Sequence, residues 1–418
     1  MASTNSLDGK AKSARRTRMA AGVVPLVVGL GMSAGAPAHA IIPNHAVDTL
    51  GAVQTGPRAT TISSATVRRS GAVFAMTNVT GNNRIIQYKR AADGDLTRIG
   101  SIRTRGMGIG TDLDTQGSVR LSPNHRFLYA TNAGSDSISV FSVRGAQLRF
   151  MQQVYAGDLP ISLTVHGNLL YVLVGSVAGN GILGFRIASD GTLERLRRSF
   201  RLLSSPIAVP GQVQFSPDGR LLLVTQKTTN VKLSPKNAID VFRVRSGGRP
   251  SLPRREPSAG LRPFSLEFRT KRQVVVAEAF NAAPRASAAS LYRVSTNGNM
   301  EVRSSSVRNH QTDACWIVVT DDNKYAFTAN FGSGTISSYR FTPTGRLRLK
   351  DGKAAFLGLL SQPVDLALST RSRYLYLLLR GEGAVAAFAV GEHGNLRRMG
   401  VTRGGLPVND GASGLAAY

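Results

Sequence analysis

The sequence predicts an all-β protein, a seven-bladed propeller of four-stranded antiparallel blades. Three observations carry this expectation. From residue 70 onward, short apolar-rich runs alternate with clusters of Gly, Pro, Asp and Asn, the mark of consecutive hairpins. The same order of runs and turns returns at a period of about 50 residues, which signals a propeller. And one strand-like run recurs seven times with an aliphatic residue, two intervening positions and an aromatic: Ile85/Tyr88, Ile138/Phe141, Ile182/Phe185, Ile239/Phe242, Ile336/Tyr339 and Val385/Phe388, with Ala289/Tyr292 as the seventh.

The chain divides into three parts. Residues 1–40 have the form of an export signal. Lys10, Lys12, Arg15, Arg16 and Arg18 make a basic start, "MAAGVVPLVVGLGMSAGA" an apolar run, and "APAHA" a small-residue cleavage site ending at Ala40. The exported protein is expected to be periplasmic or secreted. Arg15-Arg16 leaves a twin-arginine route open beside the general one. Residues 41–65 are a Gly/Thr/Ser-rich lead-in, and residues 66–418 are the propeller. No later apolar stretch approaches the roughly 20 residues of a membrane span.

Within the propeller, the first copy, "GAVFAMTNVTGNNRIIQYKR", begins at its second strand and has no inner strand before it. The chain ends in "GASGLAAY" (411–418), an inner strand with nothing after it. The last residues are therefore expected to complete the first blade and lock the ring. Further copies begin at Val119, Ile161, Val213, Phe264, Cys315 and Val364. Gly-containing turns close their hairpins, as in "DGDL" (93–96), "DGTL" (190–193) and "HGNL" (393–396), because Gly tolerates the positive φ of tight turns. A four-stranded sheet cannot cover both of its own faces, whereas radial packing covers them all. The interruptions at 100–117, 196–211, 226–238 and 244–263 read as loops on the propeller faces.

Composition narrows the partners. The net charge is +28. The first forty residues account for four of these charges, so a processed chain would keep +24. That balance favours a small anionic ligand or an anionic cell-envelope surface. The basic residues are scattered and no nucleic-acid motif is present, so dedicated nucleic-acid binding is not expected. One cysteine rules out an internal disulfide and the spacing of a zinc site. Neither metal nor other cofactor is expected. "GMGIG" (106–110) matches a phosphate loop in glycine content alone.

Propellers bind ligands at the mouth of the central channel. Along the inner strands, Val119, Val213, Leu266, Ile317, Leu366 and Leu415 form an apolar side. Ser118, Arg120, Gln212, Gln214, Ser265, Glu267, Trp316 and Asp365 form a polar one. Strand entries add Gln116 and Asp313, and the ends of second strands add Asn78, Asn132, Gln226, Lys227, Glu278, Asn330 and Arg380. The catalytic candidates are Glu278 and Asp365, either of which could activate water, and Arg120, which with Lys227 could stabilise an oxyanion. The substrate-binding candidates are Gln116, Gln212, Gln226, Lys227, Trp316 and Asn330. Cys315 falls on the apolar side and is expected to be a packed thiol.

The stretches "LSPNHRFLYATNAGSDSISVFSV", "VQFSPDGRLLLVTQ", "CWIVVTDDNKYAFTANFGSGTISSYRF" and "PVDLALSTRSRYLYLL" resemble the seven-bladed β-propeller lactonase family, which includes propeller-type 6-phosphogluconolactonases. The resemblance covers about residues 70–418, and within the family the chain is most like an exported bacterial branch. It implies a channel-mouth site of His, Arg and acidic residues. Here the stretch before the "SPDG" turn is "PGQVQF", with Gln212 and Gln214 and no His. Two functions stay open: a hydrolase opening a small lactone, and a non-catalytic propeller binding an anionic ligand or envelope partner.

Overall fold

The computed structural model describes residues 69–418, apart from 178, 206 and 228–236. The expected export signal (1–40) and lead-in (41–65) lie outside the described residues. The ring holds seven antiparallel sheets. From the inside outward, the second blade runs Val119–Leu121, Phe127–Asn132, Ser137–Arg144 and Gln147–Tyr155. The third runs Pro160–His166, Leu169–Val174 and Gly181–Ile187, with an outer edge shared by Leu193–Arg195 and Arg201–Leu202. The fourth to seventh blades begin with the inner strands Val209–Phe215, Pro263–Thr270, Ala314–Val319 and Pro363–Leu368.

The first blade is built from both ends of the described chain. Leu415–Ala417 pairs with Gly71–Met76, with Val73 opposite Ala417 and Ala75 opposite Leu415. The Met76 N–H donates to Gly414 O at 3.0 Å and the Tyr418 N–H to Ala72 O at 3.0 Å. The closure expected from the sequence is therefore present.

The recurring aliphatic and aromatic pair explains how the blades stack. Residues three apart on a strand point to opposite faces. Both members are buried in all seven copies, because each blade face lies against a neighbour. In the first blade, Tyr88 packs toward the seventh blade and Ile85 toward the second. The turn glycines fit between blades as well. A Cβ on Gly94, whose φ is +101°, would lie 2.4 Å from the Tyr374 ring of the seventh blade. Two tyrosines of the seventh blade hold the same turn, Tyr374 Oη donating to Ala92 O at 2.9 Å and Tyr376 Oη to Gly94 O at 2.7 Å.

The inner strands of the third to seventh blades share an irregularity. Register slips between Pro160 and Ser162, Pro210 and Val213, Pro263 and Leu266, Ala314 and Trp316, and Val364 and Leu366. Such bulges re-aim the side chains beside them.

Deleting Gly411–Tyr418 removes an inner strand and the buried Ala412 and Leu415. We expect the truncated chain to melt on the order of 10 °C lower than the full chain, since a lost core leucine alone costs about 2–5 kcal/mol. Thermal unfolding followed by circular dichroism checks this, and an unchanged midpoint would refute the closure.

Candidate functional site

At the end of the channel where the inner strands begin, residues 111–117 do not stay on the propeller face. They lead into the inner strand of the second blade and cross the axis to touch the other six. Thr111 O accepts from Asn78 Nδ2 of the first blade at 2.8 Å. Gln116 O accepts from Ser162 Oγ of the third blade at 2.6 Å. Thr115 Oγ1 donates to Gly211 O of the fourth. Asp114 pairs with Lys227 of the fourth blade at 2.6 Å and with Arg262, which leads into the fifth, at 3.3 Å. Asp112 pairs with Arg380 of the seventh at 2.6 Å. In the sixth, the Gln116 side-chain amide accepts from the Ile317 N–H at 3.0 Å and donates to Ile317 O at 2.9 Å. Thr115 and Gln116 are both buried. The segment closes this mouth, whereas the sequence had pointed to surface loops there.

The glycines just before it have a steric purpose. A Cβ on Gly106 would lie 2.4 Å from Asn132 Cγ, and one on Gly108 would lie 2.2 Å from the Asn78 backbone. "GMGIG" is a close backbone passage between two blades.

This closure changes the position of several candidates. Trp316 was expected to face the channel and stack on a ligand. It is instead 1% exposed, covered by the crossing segment. Its indole N–H donates to Thr115 O at 2.8 Å, and its ring packs against Phe264 at 4.9 Å. The register slip between Ala314 and Trp316 is what breaks the simple alternation of sides. Lys227 is buried, its ammonium held by Asp114 and placed 4.3 Å from the Phe264 ring centre. Gln116 has both ends of its amide engaged by Ile317. Cys315 is a buried thiol that donates to Asp313 Oδ1 at 3.4 Å, and burial pushes it well above its ordinary pKa. Burial likewise raises Asp313, against the pull of Arg262.

Glu278, Asn330, Asn132 and Gln226 share one place, the end of a second strand. There they clasp the third strand of their own blade or the loop beside it. Asn330 Nδ2 donates to Thr335 Oγ1 and Ser337 Oγ at 2.9 and 2.8 Å, and Asn132 repeats the pattern with Ser137 and Ser139. Glu278 accepts from Ser290 Oγ and, at 2.8 Å, from Ser306 Oγ. Burial raises its pKa, with the two serines opposing. Gln226 Nε2 donates to Ser204 Oγ at 2.9 Å. Glu278 shares no hydrogen-bond partner with Asp365 or Arg120.

The other half of the channel is different. A cavity of about 280 Å³ opens among the later residues of the inner strands, with Arg120, Glu267, Val318, Ala367 and Ala416 in its wall. A chain of side chains leads to it. Gln212 Nε2 donates to Gln214 Oε1 at 2.6 Å, and Gln214 Nε2 donates to Glu267 Oε1 at 2.6 Å. The Leu266 N–H donates to Gln212 Oε1 at 2.9 Å and fixes the first amide. Arg120 donates from Nε to Leu163 O at 3.3 Å, while its Nη2 is buried without a hydrogen-bond partner. Asp365 is 2% exposed, and its Oδ2 is also unpartnered. Burial raises Asp365 to about 7, although Arg120 and the N–H groups of Gly117, Leu415 and Leu366 favour its ionised form. Burial raises Glu267 too, opposed by Arg120 and Gln214.

Of the predicted site residues, Arg120 lines the open half of the channel together with Glu267 from the polar side, Asp365 is buried next to the wall residue Leu366, and Gln212 reaches Glu267 through Gln214. Gln116, Lys227 and Trp316 belong to the closed mouth, and Glu278, Gln226 and Asn330 to the blade clasps. Asp112, Asp114 and Arg262 lay outside the candidate list because they sit in segments without periodicity. Among the described residues, no three His, Cys, Asp or Glu side chains come together as a metal site requires.

Comparison with known proteins agrees with this architecture. Residues 51–209 match the family model described as "Lactonase, 7-bladed beta-propeller". No curated protein sequence matches the chain. Among solved structures, a putative 6-phosphogluconolactonase from Bacteroides fragilis superposes with a TM-score of 0.61 at 14% identity, over 87% of this chain and 100% of that one. A Pseudomonas aeruginosa periplasmic gluconolactonase gives 0.59 at 16% identity, over 82% and 99%. A Lactobacillus plantarum protein gives 0.63 at 15% identity, over 84% and 100%. At these identities the superpositions speak for the fold alone. The chain thus carries the sequence signature of the seven-bladed β-propeller lactonase family over residues 51–209 and the seven-bladed fold around its whole described ring.

Proposed function

We propose that this propeller hydrolyses a small lactone in the open half of its channel. The observation that carries the reading is the presence of two buried, unpartnered polar atoms, Arg120 Nη2 in the wall of a cavity of about 280 Å³ and Asp365 Oδ2 next to its wall residue Leu366. A carboxyl held near 7 is suited to take a proton from water at neutral pH and to give it back. In this reading Asp365 removes the proton as the water oxygen bonds to the lactone carbonyl carbon. Arg120 stabilises the oxyanion that forms. The ring C–O bond then breaks, and the same proton passes to the departing alkoxide, leaving a hydroxy acid. Gln214 and Glu267 would orient ring hydroxyls. The two lactonase-named structures support this substrate class by fold alone.

A second reading, a non-catalytic propeller for a small anionic ligand or an anionic cell-envelope surface, draws on the net charge of +28. We also propose that the chain is exported, on the pattern of residues 1–40. No helix among the described residues is long and apolar enough to cross a membrane.

A panel of small lactones assayed with purified protein decides between the readings. We expect turnover whose kcat/KM rises as pH increases through about 7, because Asp365 acts in its ionised form. Asp365→Asn and Arg120→Met should each lower kcat/KM by about 100-fold or more, whereas Glu278→Gln should retain most of it. Turnover of no lactone would leave the binding reading standing.

The ionisation of Asp365 should also appear in stability. Its folded pKa lies above the unfolded value near 3.9, so the native state binds the proton more tightly. Stability is then full below about pH 4 and falls as pH rises toward 7. Asp365→Asn should be the more stable protein at pH 8, by up to roughly 4 kcal/mol, and should lose that advantage at pH 4. Urea denaturation at the two pH values measures the difference.

Export is tested by fractionating cells that express the full chain with a C-terminal tag. The expected product lies outside the cytoplasm and begins at Ile41. An uncleaved cytoplasmic chain would exclude it.

A further inference from the structure

A separate cavity, of about 590 Å³, lies where the seventh, first and second blades meet. It is formed by the turns after the inner strands, at the opposite end of the blades from the crossing segment. Arg69, Arg90, Arg371 and Arg373 line it, together with His125 and Tyr374, and no acidic residue is in its wall. Among the described residues five arginines meet carboxylates, Arg254, Arg262, Arg303, Arg380 and Arg403, so what sets this cavity apart is the gathering of four arginines in one wall. Among the described residues, none of the four cavity arginines has an Asp or Glu side-chain carboxylate within 4.0 Å. Arg90 is buried and its Nε donates to the main-chain oxygen of Tyr418 at 2.9 Å. The Tyr418 ring in turn stacks on His125 at 4.7 Å.

Four guanidinium groups around one concavity repel one another, and the repulsion is relieved by a counter-charge placed among them. Guanidinium forks match the paired oxygens of phosphate and carboxylate groups. The Tyr374 ring, with the Arg90 guanidinium 5.7 Å from its centre, and the His125–Tyr418 stack provide flat walls on either side.

We propose that this cavity binds a compact multivalent oxyanion, a phosphate or a polycarboxylate, and that the bound anion clamps the closure of the ring. The clamp follows from position. Arg371 and Arg373 belong to the seventh blade, Arg90 to the first and His125 to the second, and Arg90 already holds the strand that closes the circle. The site is independent of any hydrolysis in the channel.

The test is calorimetric titration and thermal melting of the full chain with inorganic phosphate and with citrate, ionic strength being held constant with sodium chloride. One binding site and a melting temperature raised by several degrees are expected. The stronger of the two probes identifies the anion class. Arg371→Gln/Arg373→Gln should weaken binding at least tenfold. Arg195→Gln/Arg197→Gln, which removes the same charge from an exposed part of the third blade, should not. Should the first pair melt lower without ligand, Arg371→Gln alone, at an exposed position, should still weaken binding at least threefold. The proposal fails if phosphate and citrate stabilise no more than chloride, or if the two double variants lose affinity equally.

Discussion

The two hydrogen bonds between the Gln116 amide and Ile317 organise the centre of this molecule. A side-chain amide has the donor and acceptor of a peptide group, and here it stands in for one, holding the sixth blade's inner strand from the far side of the axis. Around that contact, residues 111–117 reach six blades through hydrogen bonds and ion pairs and continue into the inner strand of the second. A propeller otherwise depends on contacts between neighbours and on the pairing of its first and last strands. This chain adds a tie through the centre. Its two carboxylates are half-buried and matched: Lys227 and Arg262 pair with Asp114, and Arg380 with Asp112.

The tie sets where chemistry can occur. With one mouth filled, the polar groups lining the inner strands face solvent from the opposite half alone. Arg120 and Glu267 are left there as ionisable groups without close ion pairs, in a wall otherwise apolar, with Asp365 buried next to its residue Leu366. The charge distribution follows the same division. Carboxylates at the closed mouth are held by cations, while at the ring seam arginines gather without Asp or Glu.

The repeat was legible because each copy obeys the same local rules. Ile85 and Tyr88, three apart, must face opposite sides of a strand, and both faces must be covered. The missing inner strand of the first copy and the unpaired "GLAAY" at the end then determined the closure. The channel was legible in part. Alternation put Arg120 and Glu267 on the channel side, and both line its cavity: Arg120's strand has no register slip, and Glu267 lies between the two slips of its own. It misplaced Trp316, which lies at one, and a slip of this kind leaves no mark in composition. The crossing segment was hidden for another reason. "TDLDTQG" has no periodicity, and its partners stand as far as 201 residues away for Gln116. The clasp residues show a third limit. Asn132, Asn330 and Glu278 look like site residues because they are polar at strand ends, while their serine and threonine partners are spread over the next strand.

Asp365 joins these levels. It is the residue at the register slip in the seventh blade's inner strand, and its φ is +34°. A residue with a Cβ occupies that region at a cost, which Asp and Asn bear better than most. The slip turns its carboxylate toward the N–H groups of Gly117 at the end of the crossing segment, Leu366 in its own strand and Leu415 in the closing strand. Those three groups belong to the three elements that make the ring a single object. An asparagine oxygen could face the same N–H groups. What the carboxylate adds is a proton equilibrium near neutrality, beside Arg120, at the expense of stability whenever it is ionised. A buried carboxyl raised to about 7, in a position where an uncharged isostere would serve the architecture, is the physical reason the proposed hydrolysis is assigned to Asp365.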